Sequence, residues 1–570
     1  MDRYHVSSAL PCLALLSLFN INAIHLLFFR SYRSSRTAKL TLQTLTMTML
    51  IMILCTLLFS LPLFSEAFTS LAPPLFKQSC TRNMKQRNDD VYEHDASTYK
   101  RRDFCQQVAT SITALSLHPF PALASPTSIV PTPAFTSDLS WPLGKVAFSL
   151  LPLAGTFSRR ATVEETIVKD IIWTHDQIQG VVNVNVPVRQ TVIRLQSGGL
   201  WIHNPVAPTP QLLEMVHNLE QRYGPVQHIV LGSVALEHKA TFGAFSSHFP
   251  ESTVWIQPGQ WAFPIGLPLD ALGVTQRGSR LRELPIPNQT LTGGSLYAAY
   301  ANVPPPWLNE IDYEVLGPLS FQSVGAFSET AFFHKTSKTL IVTDTVVSVT
   351  KEPPPIIQED PRAMLFHARD NVAEIVQDTP TEREKGWRRM VQFGLVFFPS
   401  QINVVPFGQA LKEASKIDKS MKNLGEGAVP LSLYPWTWNG ENDKINFDSL
   451  SKDGKLFCPP ILTKLILDRE PQKTIAWVDK VVKRFDFQRV IPCHLNNNIK
   501  TTPQEFSAAF DVLRSQPGTI TNQQPLAEDL ALLQKASDLL TKFGVVGPSL
   551  VCDGEPARTL GRFAGIATQK

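Results

Sequence analysis

Between Thr191 and Ile256 the chain alternates two kinds of segment that a layered α/β fold accommodates best. Thr191-Val192-Ile193-Arg194-Leu195 and Leu200-Trp201-Ile202-His203 are β-type runs separated by Gly198-Gly199, a turn signal. Thr209-Pro210 then opens a helix, because proline's fixed φ suits a first turn. Leu212, Leu213, Val216 and Leu219 recur at helical spacing, and Gly224-Pro225 stops the segment. The run His228-Ile229-Val230-Leu231 is continuously apolar at its end and reads as a buried strand. A second helix is expected from Glu237 to His248. A further strand is expected at Thr253-Val254-Trp255-Ile256, closed by Pro258-Gly259. The order is strand, strand, helix, strand, helix, strand.

Further along, residues 262–310 are rich in proline and glycine and read as loops and short strands. Ala331-Phe332-Phe333-His334 and Thr339-Leu340-Ile341-Val342-Thr343-Asp344 form a predicted hairpin with Lys335 to Lys338 as its turn, and Val346 to Val349 extend its second strand. Lys351-Glu352-Pro353-Pro354-Pro355 is a break. Residues 351–470 read as an insertion capping one side, with helices over Ala363–Val376 and Lys385–Phe398. Helices resume over Ile461–Leu467 and Lys473–Phe485. Arg489-Val490-Ile491-Pro492 is a late strand, Pro503–Leu513 a helix, and Leu526–Phe543 an amphipathic terminal helix. The organisation expected is 160–350 for the first half of the domain, 351–470 for the insertion, 471–515 for the end of the second half, and 516–570 for a C-terminal helix and tail.

The first quarter of the 570 residues reads as an address. Met49 to Phe64 is an apolar run ending in Ser65-Glu66-Ala67, with small residues suited to signal-peptidase cleavage, and Phe68 follows. An Ala-Phe junction ahead of Lys77, Arg82, Lys85 and Arg87 resembles the bipartite plastid leader of diatoms and related algae, so 1–67 is read as signal and 68–124 as transit segment. Met47 and Met49 are alternative starts. Lys100-Arg101-Arg102-Asp103-Phe104, with Ala122-Leu123-Ala124 downstream, resembles a twin-arginine signal for the thylakoid lumen, the stroma being the other destination. Cleavage at Ala124 leaves Cys458, Cys493 and Cys552, without a Cys-x-x-Cys pair, so neither a zinc knuckle nor a disulfide framework is expected. The formal charge of +4 implies no nucleic acid or other polyanion, and no stable membrane span is expected after cleavage. There is no Gly-x-Gly-x-x-Gly loop, P-loop or Gly-x-Ser-x-Gly elbow.

Several stretches carry a family resemblance: Leu200-Trp201-Ile202-His203-Asn204-Pro205, Phe332-Phe333-His334-Lys335, Thr339 to Asp344, Lys351-Glu352-Pro353-Pro354, Glu359-Asp360-Pro361-Arg362, Lys385-Gly386-Trp387-Arg388-Arg389-Met390 and Ile491-Pro492-Cys493-His494. Together they resemble plastid and cyanobacterial proteins carrying domain of unknown function 4336, and beyond them the metallo-β-lactamase fold. The resemblance implies a four-layer αββα sandwich, two mixed sheets face to face with helices outside. It also implies a degenerate metal motif. Ser233 and Ala235 stand where the two leading histidines of that fold occur, and no histidine lies near Gly325 for the third. Glu237 stands at the aspartate position, His238 at the next histidine, Asp344 at the bridging aspartate and His494 at the final histidine. The ligands of the first metal are thus missing, while Glu237, His238, Asp344 and His494 keep the donor types of the second. Two carboxylates and two imidazoles suit one zinc, iron or manganese ion.

Glu237 is longer than aspartate by roughly 1.5 Å, and four protein ligands fill a tetrahedral shell. If a water also binds, the ion would lower its pKa, and Ser233 is placed to hydrogen-bond it. Ordinary structural roles stand beside this reading: Glu237 at a helix start, Asp344 at a turn, His494 beside Asn496-Asn497-Asn498. His203 is expected at a strand end, Trp436 and Trp438 in the insertion's core, and Arg388-Arg389 on a solvated helix face. Cys493 is a possible extra ligand or redox-sensitive thiol. Two functions follow: a mononuclear metal-dependent hydrolase of a small plastid metabolite, or a non-catalytic binding or assembly protein of the photosynthetic membrane system.

Overall fold

The computed structural model describes residues 153–154, 160–181, 184–260, 274, 276, 278–286, 304–321, 325–396, 399–417, 434, 436–440, 442–514, 526–542, 544 and 546–550. The leader, the transit segment, the twin-arginine stretch and Cys552 lie outside the described residues. Eight strands make one sheet: β1 (Leu153–Ala154), β2 (Val163–Val168), β3 (Ile172–Val181), β4 (Val184–Arg194), β5 (Leu200–His203), β6 (Val226–Leu231), β7 (Thr253–Ile256) and β8 (Leu281–Glu283). The path runs β1-β3-β4-β5-β6-β7-β8, with β2 also on β3. The β3–β4–β5 pairings are antiparallel, and those from β5 through β8 are parallel. The second sheet contains β9 (Ile311–Phe321), β10 (Gly325–His334) and β11 (Thr339–Ile341). After a two-stranded ribbon of β12 (Ile402–Val404) and β13 (Trp436–Trp438), it is completed by β14 (Arg489–Ile491) and β15 (Ile499–Lys500), in the order β15-β14-β11-β10-β9.

Side-chain alternation stacks these sheets. Trp201, Val230 and Trp255 point one way from β5, β6 and β7 and share a core with Phe332, Ile341 and Ile491 of the second sheet. Their neighbours Leu200, Ile202, Ile229, Leu231, Val254 and Ile256 point the other way. There they meet Leu212, Val216 and Leu219 of α1 (Pro210–Tyr223) and Phe242 and Phe245 of α2 (Leu236–Ser246). α1 begins as the sequence implies: the Thr209 side chain accepts from Leu212 N, Pro210 occupies the first turn and Gly224 ends it.

The insertion contributes α3 (Pro355–Glu359), α4 (Arg362–Ala368), α5 (Pro380–Val396), α6 (Phe407–Ala414), α7 (Asp443–Ser451) and α8 (Pro460–Leu465). α4 and α5 approach backbone to backbone, since a Cβ at Gly386 would lie 1.9 Å from the Met364 carbonyl oxygen. α9 (Pro471–Arg484), α10 (Pro503–Ala508), α11 (Asp511–Arg514) and α12 (Ala527–Lys542) follow. Trp477, Val478 and Val481 of α9, with Phe506 and Phe510, cover Leu340 and Val490 on the outer face of the second sheet. Helix, sheet, sheet, helix is the four-layer αββα sandwich. Among the described residues no helix is long and apolar enough to cross a membrane.

Some predicted elements differ. Val346–Val349 do not extend the hairpin strand; Val347 makes only an isolated bridge to Phe457. The helix expected over Ala363–Val376 stops at Ala368, where Arg369 turns extended. The next helix starts at Pro380 instead of Lys385, because Thr379 Oγ1 accepts from Glu382 N. Pro503–Leu513 is broken into α10 and α11.

Candidate metal centre

Register assembles the site. β11 and β14 are parallel neighbours, with Ile341 opposite Ile491. Three residues past each of these partners lie Asp344 and His494, so both reach the same rim. The pairing is carried past the strand ends, because Val342 N donates to Ile491 O (3.0 Å) and Cys493 N to Thr343 O (3.1 Å). From the first sheet, β6 exits through Gly232 and Ser233 into the first turn of α2, which supplies Glu237 and His238. Thr330 N donates to Gly232 O (2.8 Å) and Val234 N to Ser328 O (3.1 Å), tying this exit to β10.

Glu237, His238, Asp344 and His494 each present one donor atom, and these atoms all lie within 4.8 Å of one another. Asp344 Oδ1 is the hub: His494 Nε2 is 3.0 Å away and His238 Nε2 is 3.5 Å away. The two imidazole centroids are 5.2 Å apart. His494 is oriented from behind, its Nδ1 lying 2.8 Å from Pro187 O on β4. That contact makes Nδ1 an N–H donor and leaves Nε2 as the nitrogen that faces Asp344 and the cluster.

The loop bearing His494 is clamped by Arg189. Its guanidinium is buried and pairs bidentately with Asp176 at 2.7 and 2.6 Å. It also donates to the carbonyls of Pro492 (2.7 Å), Leu495 (3.0 Å) and Asn496 (3.3 Å). The Asp344 loop is held by Glu329 of β10, whose carboxylate accepts from the backbone N–H groups of Thr343 (2.8 Å), Asp344 (2.9 Å) and Thr345 (3.1 Å). Asn204, in the left-handed region at φ 44°, joins both sheets. Its amide accepts from Gly232 N (2.8 Å) and donates to Thr343 Oγ1 (3.0 Å) and Cys493 Sγ (3.4 Å).

Burial works to raise the Asp344 carboxyl, but the imidazoles of His238 and His494 outweigh it and hold it far below the usual carboxylate range. Burial disfavours a charge on His494, yet Asp344 raises it above the ordinary imidazole value. Burial and the Asp344 charge together raise Glu329. Half-buried carboxylates this close, with their donor atoms within 4.8 Å, call for a cation between the imidazoles. The fit is supported by His238: both of its ring nitrogens are buried and, among the described residues, neither makes a hydrogen bond. An imidazole lone pair left in that state, beside two carboxylates and a second imidazole, suits a divalent ion of the zinc, iron or manganese kind.

The structure brings together all of the residues carried over at the second metal position. Ser233 does not face a free position, since its Oγ donates to Asp344 Oδ2 (3.3 Å) and accepts from Ala235 N (3.1 Å). Cys493 is outside the cluster, 3.9 Å from His203 Nδ1, and burial pushes its thiol far up, which opposes both ligation and redox reactivity. His203 sits at the end of β5 in the inter-sheet core, and Gly232 is required beside it because a Cβ there would stand 2.4 Å from its Nε2. Trp436 and Trp438 pack in the insertion. Arg388-Arg389 are not on a solvated face: Arg389 is buried against Asp370 and Asp443, and Arg388 pairs with Asp443. Sequence reasoning passed over Arg189, Glu329 and Asn204. Charged residues amid apolar β-type neighbours were the available signal.

The αββα sandwich, with two carboxylates and two imidazoles gathered on one rim, is a fold of the metallo-β-lactamase type. Residues 169–512, more than half of the chain, match the domain of unknown function DUF4336, and the chain belongs to that family. Among solved structures it is similar to a metal-soaked Flv1 flavodiiron core from Synechocystis sp. PCC6803, at 10% identity over 62% of this chain and 60% of that one, TM-score 0.29. A metallo-β-lactamase from Pontibacter korlensis is similar at 9% identity over 62% of this chain and 99% of that one, TM-score 0.26. A metallo-β-lactamase from Hirschia baltica is similar at 11% identity over 42% and 88%, TM-score 0.22. The chain thus spans 60% of the length of the flavodiiron core. No curated protein matches it.

Proposed function

We propose that this protein is a mononuclear metal-dependent hydrolase acting on a small metabolite. The observation that supports this reading is the convergence of Glu237, His238, Asp344 and His494 within 4.8 Å. These residues would hold the ion, and a bound ion of this kind supplies Lewis acidity and lowers the pKa of water. The chain's own contribution is positional. Pro187 O and Arg189 fix His494, and Glu329 fixes the backbone on either side of Asp344. With both outer layers closed by helices, the substrate would approach along the rim. The leader supports delivery to a plastid, to the thylakoid lumen or the stroma.

Metal analysis of the purified full chain tests the reading. About one ion per chain is expected, with a loss of ten-fold or more in His238→Ala and in His494→Ala. Unchanged metal content in both variants would leave the hydrolase reading without a basis and favour a binding or assembly role. For the leader, a fluorescent fusion that accumulates outside the plastid would refute the delivery reading.

A further inference from the structure

The insertion carries a charge that its surroundings do not answer. Arg369 follows α4 in extended conformation, and its side chain is fully buried. Two aromatic rings crowd the guanidinium, with the centroids of Phe366 and Tyr434 at 4.7 and 4.5 Å from Cζ. Arg369 Nε donates to Phe366 O at 3.3 Å. Its Nη1 and Nη2 are buried and have no hydrogen-bond partner among the described residues. The same is true of Trp436 Nε1 in the same aromatic cluster. The Tyr434 hydroxyl donates to the Arg369 carbonyl and accepts from Trp438 Nε1 (3.1 Å), and it makes no hydrogen bond with either Nη.

The neighbouring carboxylates are committed to other cations. Asp370 pairs with Arg389 (2.6 Å) and Lys385 (3.1 Å). Glu374 pairs with Lys385 (3.7 Å), and Asp443 with Arg388 (2.7 Å) and Arg389 (3.6 Å). Burial lowers the Arg369 guanidinium to about 10, which still leaves it a cation at neutral pH. A buried cation with both terminal nitrogens unpaired costs far more than two ring contacts return. Donors without acceptors call for a ligand that only accepts. A guanidinium edge with two parallel N–H groups matches two oxygens of one oxyanion.

We propose that the insertion is an oxyanion-binding module, in which the Nη edge of Arg369 holds the paired oxygens of a carboxylate or phosphate group beside Trp436. The site is separate from the metal centre and does not depend on the hydrolase reading.

Thermal unfolding of the full chain tests this at constant ionic strength in chloride, inorganic phosphate or acetate. Because both Nη atoms are sealed from solvent, the protein is equilibrated overnight with each anion before heating. Phosphate or acetate at saturating concentration is expected to raise the midpoint by about 2–4 °C over chloride. A response to phosphate alone identifies a phosphoryl ligand, and a response to acetate alone a carboxylate. The shift is expected to vanish in Arg369→Met and to shrink in Arg369→Lys, which keeps the charge but loses the fork. It is expected to persist in His494→Ala, which separates it from anion binding at the metal centre. Equal shifts in wild type, Arg369→Met and Arg369→Lys would overturn the proposal. So would no shift with either anion, and a higher midpoint for Arg369→Met would then mark the guanidinium as an unliganded burden.

Discussion

Each oxygen of Glu329 receives two hydrogen bonds: Thr343 N and Thr345 Oγ1 on one, Asp344 N and Thr345 N on the other. A carboxylate has about four acceptor positions, so no lone pair is left for a proton. This argues that Glu329 stays ionised even though burial and Asp344 raise it. Its function is then to freeze three consecutive N–H groups and hence the direction in which Asp344 leaves the backbone. Glu329→Gln keeps the shape but turns one acceptor into a donor that faces N–H groups. The expected loss is roughly 2–4 kcal/mol of stability, together with a 10–100-fold weaker hold on metal. Thr345→Val, which removes one hydroxyl donor, should cost only about 1 kcal/mol. Urea melts and metal titration of the two variants check this. A Glu329→Gln chain that folds and binds metal like wild type would show that Asp344 is placed by the sheet register alone.

At the scale of elements, what the sequence made legible was local chemistry. β7 and β5 lie where their runs of apolar residues end, and α1 begins and stops on the hydroxyl, proline and glycine that read as its boundaries. β3 was not legible, because its Ile-Trp-Thr-His-Asp-Gln pattern looks half wet. His175, Asp176 and Gln177 are nevertheless buried, matched respectively by Gln190 Nε2, Arg189 and the backbone of Ala207. Partners that far away in the chain leave no periodic trace. β9 hides for the same reason: Asp312 and Glu314 pair with Arg484 on α9, and an acidic stretch reads as loop until its cation is known. The same limit governs the site. Ligand-type residues at strand ends stand out by type and position. The groups that aim them, Arg189 and Glu329, become visible only when parallel strands β11 and β14 bring their loops together.

Across the whole molecule, acid sensitivity is set by histidines held neutral in the layers. Burial lowers His203 to about 3, His228 to about 4 and His334 to about 4. They sit at the end of β5, on β6 and at the end of β10, so both sheets are involved. Each folded pKa lies below the unfolded value near 6.5, so the unfolded chain binds the extra protons first. Their contribution is complete above about pH 6.5 and is lost as pH falls toward 4. The drop from 6.5 to about 4 corresponds to about 3 kcal/mol for each of His228 and His334. Asp344, whose pKa is lowered, adds nothing in this window because its contribution is lost only below the ordinary aspartate value. Asp468, raised by burial, acts with the opposite sign, so the wild-type slope is a difference. Comparing wild type with His228→Gln/His334→Gln removes those shared terms. The double variant should be less stable than wild type at pH 7.5, where two hydrogen-bonded rings are lost, and should gain on it steadily below pH 6.5, crossing it near pH 5. Parallel stability curves for the two chains from pH 7.5 to 4.5 would mean that these imidazoles protonate without opening the sandwich, and would move the acid-labile step to the rim.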